Sequence, residues 1–175
     1  MFSQPKKTQD GRYYVKPAEP KLVQLNSVKI VSVSQDTVTL SLDENAQNVI
    51  SAIDVSNLEA AKANCESWFS RVVQEKTLEA AYVKSFTDGM MNVSKPTFHR
   101  VYRGKELTED QPVDGDVCDV VIDFTGITFS KKTFGPVWKI LQTRLKVPPK
   151  KKYHEEYLFQ DDSDPVEASD EDLFE

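Results

Sequence analysis

The sequence predicts a mainly β protein: a small barrel with one inserted helical segment and a disordered acidic tail. Three observations predict it. Short stretches of alternating apolar and polar residues flank a single region of helical periodicity. Phe124–His154 holds eight Lys or Arg and no acid, whereas Glu155–Glu175 holds ten Asp or Glu and no Lys or Arg. The net charge of −6 over 175 residues thus divides into +4 for residues 1–154, with 22 bases against 18 acids, and −10 for the tail.

Composition sets the class. A hydrophobic fraction of 39% and a charged fraction of 29% suit a globular domain with a disordered minority. No run approaches the roughly 20 apolar residues of a membrane span. Met1–Lys7 lacks the apolar core of a secretory signal. Cys65 and Cys118 stand far apart with no partnering pattern and read as reduced, buried thiols of an intracellular protein.

Residues 1–21, with Pro5, Pro17 and Pro20, read as an extended arm in which Tyr13-Tyr14 is the part placed to dock or touch a ligand. Val28–Ser34 and Thr37–Leu42 form a hairpin about Gln35-Asp36, with Val38, Leu40 and Leu42 on one face and Thr37, Thr39 and Ser41 on the other. Ser56 and Glu59 suggest a capping box opening a helix whose buried stripe is Leu58, Cys65, Trp68 and Phe69. A second short helix covers Thr77–Val83 and ends near Asp88-Gly89. Strands follow at Thr97–Arg103, Val117–Thr128 and Thr133–Val147, the first closed by a Gly104-Lys105 turn. The domain is expected over residues 22–153 and the tail over 154–175. A five-stranded OB-like barrel is the simplest closure of this order.

The chemistry is expected on Val137–Val147. Its alternation puts Leu141, Thr143, Leu145 and Val147 in the core, and Trp138, Ile140, Gln142, Arg144 and Lys146 outside. A ring among cations suits single-stranded nucleic acid, because bases stack on the ring while cations neutralise phosphates. The competing reading has Trp138 capping the barrel end. Phe129-Ser130-Lys131-Lys132-Thr133-Phe134 repeats the mixture in a loop, where Phe129 and Phe134 either stack on bases or anchor the core. Phe98–Arg103 is a third such patch, with either face able to point outward. In the tail, Asp170-Glu171-Asp172-Leu173-Phe174 sets an apolar pair within acids and reads as a docking tip for a partner protein.

Phe124–Phe129, Ser130–Gly135 and Val137–Gln142, taken with the acidic tail, resemble the OB-fold single-stranded DNA-binding proteins of short-tailed phages and their relatives in nucleocytoplasmic large DNA viruses. The resemblance implies that Phe129, Lys131, Lys132, Phe134, Trp138, Lys139 and Arg144 lie at or beside a DNA groove. Lys146, Lys150, Lys151 and Lys152 would extend the phosphate track, and Tyr102 would add a stacking ring.

Enzyme motifs are absent: the six glycines form neither a phosphate loop nor a dinucleotide fingerprint. His99 and His154 lack metal-ligand spacing. A metal-dependent nuclease would need Asp114, Asp116, Asp119 and Asp123, yet Asp114-Gly115-Asp116 reads as a turn, and Asp119 and Asp123 are placed to pair with neighbouring cations. The expectation is therefore a non-enzymatic protein without cofactor that binds single-stranded DNA in replication, recombination or repair. Its tail would compete for the groove and recruit replication proteins such as a polymerase or helicase, at an intracellular replication site in a nucleus or a viral factory. A homodimer is a further candidate assembly. The alternative is a protein-interaction scaffold that acts through the tail alone.

Overall fold

The computed structural model describes residues 1–146. In chain order its elements are β1 (Lys6–Lys7), β2 (Tyr13–Val15), β3 (Lys21–Val33), β4 (Thr37–Ser41), α1 (Glu44–Ala63), α2 (Cys65–Phe69), α3 (Glu75–Ala81), β5 (Phe86–Thr87), β6 (Met90–Ser94), β7 (Arg100–Arg103), β8 (Glu106–Thr108), β9 (Val117–Phe129) and β10 (Phe134–Leu145). The expected hairpin is β3–β4, with Val38, Leu40 and Leu42 buried as their alternation requires.

Five strands close on themselves in the order β3–β4–β6–β10–β9 and back to β3. Every pairing is antiparallel except β6–β10, the parallel seam that completes the barrel. Closure leaves these strands no open edge and encloses Ile30, Leu40, Met91, Ile122, Phe124 and Ile140. The fold is therefore mainly β, a five-stranded barrel with a helical insertion after its second strand. Cys65 and Cys118 are free thiols, and burial pushes the Cys118 thiol up to about 11.

Several elements differ from expectation. The main helix starts at Glu44, where Asp43 accepts a bond from the Ala46 amide at 2.8 Å; Ser56 lies inside it. Its buried stripe is Ala46, Ile50, Asp54, Asn57 and Ala61, and Leu58, Cys65 and Phe69 are only partly buried. The third helix ends at Ala81. Asp88-Gly89 (φ 51° and 73°) is instead the two-residue turn of a β5–β6 hairpin, the Asp-Gly signature of that turn.

The N-terminal arm belongs to the body. β2 pairs with β9, and Phe2 packs edge-on to Trp68 at 5.3 Å and to Phe124 at 6.3 Å. Tyr14 crosses β9 and donates to the Thr125 carbonyl. Gly126, at φ 148°, makes room for it: a Cβ there would collide with the Tyr14 ring and the Val15 carbonyl.

Candidate nucleic-acid interface

The chemistry of β10 turns on one extra residue. Ile140 faces Ile122 and Gln142 faces Val121, so Leu141 is a bulge without a partner on β9. A bulge reverses which face each later residue occupies. Beyond it Thr143 and Leu145 point inward, with Gln142, Arg144 and Lys146 outward, as expected. Before it the phase is opposite, and Trp138 and Ile140 point into the barrel.

Trp138 is consequently a core residue, only 3% exposed, and cannot stack on a base. Its ring lies 5.4 Å from Phe124, and its Nε1–H donates to Ser85 Oγ at 2.9 Å. Ser85 in turn donates through Oγ (2.6 Å) and its amide (2.9 Å) to Asp54 of α1, which also accepts from the Tyr82 hydroxyl at 2.7 Å. Burial raises the Tyr82 pKa well above its ordinary value, so the phenol stays a donor. Trp138 thus ties the barrel to the helical insertion.

Phe129 and Phe134 are corrected in the same direction. They stack at 5.8 Å and meet Trp68 and Phe69 edge-on, sealing the barrel end under α2. Anchoring wins because these rings flank the tight Ser130–Thr133 turn, which the Ser130 hydroxyl closes on the Thr133 carbonyl at 3.0 Å. Lys131 and Lys132 at its tip are exposed.

Rings that do meet solvent lie elsewhere. Val101 is buried, which settles the open choice on β7: Arg100 and Tyr102 face outward, and Phe98 just before them is 90% exposed. In register, Arg100 lies beside Gln142 and Tyr102 beside Arg144, so β7 and β10 present one mixed surface. A cleft of about 420 Å³ opens there, bordered by Tyr102, Lys105, Gln142, Arg144 and Gln24. Lys139 continues the line along β10, exposed beside Ser94. Of the expected residues, the structure groups Tyr102, Arg144, Lys146 and Lys139 on this side and leaves Lys131 and Lys132 at the far end of β9–β10. Arg100, Lys105, Gln142 and Phe98 were not among the expected site residues. The Phe98–Arg103 patch signalled Phe98 and Arg100, though strand periodicity leaves its outward face open, and the alternation of Val137–Val147 already put Gln142 outside.

His99 anchors this surface. Its Nε2 lies 2.7 Å from the hydroxyl of buried Thr143, fixing the segment that carries Phe98 to β10. Burial, and then the nearby Lys95 charge, lower its pKa from 6.5 to about 4. Between those values the unfolded chain binds a proton that the folded chain rejects, so His99 makes the protein less stable as pH falls from 6.5 to about 4. Urea unfolding at about pH 7 and about pH 5 is expected to show a smaller acid-induced loss for His99→Gln than for wild type. Equal losses would assign the pH dependence to other groups.

Asp119 organises the cations. Arg144 donates to its Oδ2 through Nε (2.9 Å) and Nη2 (2.6 Å), Lys146 to Oδ1 at 2.7 Å, and the Ser27 amide to Oδ1 at 2.8 Å. Burial works against its charge, but the bonds from Lys146, Ser27 and Arg144 prevail and hold its pKa at about 2. Arg144 and Lys146 remain half-exposed. Two of the other carboxylates considered for metal chemistry, Asp114 and Asp116, also have structural places. Asp114 accepts from the Val33 amide at 2.8 Å and Asp116 from the Val113 amide at 2.9 Å. Asp123 lies opposite Lys139 in register but does not form the expected ion pair, and its Oδ1 is buried without a partner among the described residues. Among the described residues no cluster of His, Cys, Asp or Glu is arranged to hold a metal, and no helix is long and apolar enough to cross a membrane. Lys150, Lys151, Lys152 and the Asp170–Phe174 tip lie outside the described residues.

The barrel and its basic, ring-bearing outer surface define an OB-like protein. The chain belongs to a family of unknown function, DUF5871, whose model matches residues 26–161. No curated protein matches it. Among solved structures it is similar to the single-stranded DNA-binding protein of bacteriophage Enc34. The likeness is 13% identity with TM-score 0.49, covering 88% of this chain and 96% of that one. A C-terminally truncated form gives 13% and 0.48, covering 83% and 95%, and the form in complex with ssDNA gives 14% and 0.47, covering 83% and 96%.

Proposed function

We propose that this protein binds single-stranded DNA, without enzymatic activity, along the outer surface of β7 and β10. The observation that carries the reading is the cleft bordered by Tyr102, Lys105 and Arg144, with Arg100 on the same outer face of β7 and the exposed ring of Phe98 just ahead of that strand. Rings accept any base face at roughly 1–3 kcal/mol each, and cations take phosphates, so sequence preference is slight. Asp119 holds Arg144 and Lys146 in place, which lowers the entropy lost when they meet a phosphate.

The acidic tail extends the proposal. Ten carboxylates joined to a basic surface compete with DNA for it, suppress weak and duplex binding, and are released when a single strand displaces them. Leu173-Phe174 then becomes available to a replication protein such as a polymerase or helicase. The resemblance of residues 124–142 and the tail to phage and large DNA virus proteins motivates a role in DNA replication, recombination or repair, at a nuclear or cytoplasmic replication site.

Fluorescence anisotropy of labelled oligo(dT) and of a matched duplex, across salt, tests the reading. Expected are preference for the single strand and an affinity that falls with a log–log slope of about −0.7 per phosphate contact. Residues 1–154 should bind more tightly than the full chain at low salt. No binding by either form would sink the nucleic-acid reading and leave the tail as the active part of a protein-recruiting scaffold.

A further inference from the structure

A second group of cations and a ring lies at the other end of β9 and β10. β1 pairs with β2 so that Lys7 faces Tyr13, and β2 pairs with β9 so that Tyr13 faces Phe129. This small hairpin therefore stands beside the β9–β10 turn. Lys6 and Lys7 are exposed, as are Lys131 and Lys132 on the turn, and Tyr13 is 51% exposed. Among the described residues none of these four lysines has a carboxylate partner; the one acid in the hairpin, Asp10, pairs with Arg12 at 3.5 Å. Arg12 borders Ser130 and Thr133 in a cleft of about 220 Å³ between hairpin and turn. The arm is anchored there by Phe2, partly buried against the core, and by Tyr14 across Gly126, so the backbone that carries its cations is held in position.

We propose that the β1–β2 hairpin and the β9–β10 turn form a second contact for single-stranded DNA, so that a long strand runs along the barrel from the Tyr102–Arg144 cleft to Tyr13. The inference rests on the single-strand reading above and adds a second contact and a minimum length. From Asp119 to Phe129, β9 spans at most about 34 Å at ~3.4 Å per residue. That is roughly ten nucleotides at the duplex rise of about 3.4 Å per nucleotide, and fewer in a stretched strand. Short oligonucleotides then occupy the ring-bearing cleft alone. Longer ones reach both contacts and gain from the high effective concentration of the second.

The test compares wild type with Lys6→Ser/Lys7→Ser and with Lys131→Ser/Lys132→Ser, all full-length. These side chains are exposed, and an unchanged thermal midpoint verifies the fold. The probes are labelled oligo(dT) of about 5 and about 20 nucleotides, lengths chosen around the ~4–16-nucleotide sites of single OB-folds. For the long probe each double variant should reduce the magnitude of the salt slope by about 1.4, at ~0.7 per contact, with no change for the short probe. A long-probe slope unchanged in both variants would overturn the second contact while leaving the cleft intact. Equal changes for both probes would merge the two contacts into one and overturn it as well. A wild type that binds neither probe would instead remove the single-strand reading itself.

Discussion

Alanine at both Phe98 and Tyr102 is expected to weaken oligo(dT) binding by about a hundredfold, because each stacked base contributes roughly 1–3 kcal/mol and every ~1.4 kcal/mol is a factor of ten. Phe98 is almost wholly exposed and Tyr102 partly so, and neither takes part in the aromatic cluster that seals the barrel. Folding should therefore survive, and the loss belongs to binding. The salt slope should stay near the wild-type value, since no phosphate contact is removed. That separates stacking from charge: Arg100→Ser would lower the slope, whereas the ring variants lower affinity at every salt concentration. An affinity within about threefold of wild type would take both rings out of the interface.

Trp138 is expected to behave in the opposite way. Trp138→Ala should cost about 3–5 kcal/mol of folding stability, the usual loss for a large buried ring. It also leaves Ser85 Oγ without the indole donor, in a network that fastens α1 to the barrel through Asp54. Trp138→Phe keeps most of the packing against Phe124 and loses chiefly the 2.9 Å bond to Ser85, a cost of about 1 kcal/mol. Chemical denaturation measures both. The phenylalanine variant should bind oligo(dT) as wild type does, because its side chain stays inside the barrel. A marked loss of affinity in a folded Trp138→Phe protein would return this residue to the interface.

Much of the barrel was legible because strand alternation is a local signal. β4, β9 and most of β10 follow from residues two apart, and the turn at Gly104-Lys105 from its own chemistry. The main helix was placed too late because its true opening, Asp43 before Glu44, precedes a stretch whose inward stripe includes the polar Asp54 and Asn57. Those side chains look like an exposed face until Tyr82 and Ser85 arrive from elsewhere in the chain to bond them. The β5–β6 hairpin carried a turn signal in Asp88-Gly89, but flanking strands as short as Phe86–Thr87 show little alternation.

The sequence by itself determined the class of fold, the separation of a basic body from an acidic tail, and the residue types from which an interface is built. These depend on composition and on spacing within a single strand. Tertiary structure decided which rings are available. The bulge at Leu141 turns Trp138 inward, closure of β9 against β10 buries Phe129 and Phe134, and the His99–Thr143 contact holds the segment that carries Phe98 outward. Each of these depends on a partner strand distant in sequence. The same aromatic residue is core or contact surface according to a register shift of one residue, and only the assembled barrel sets that register.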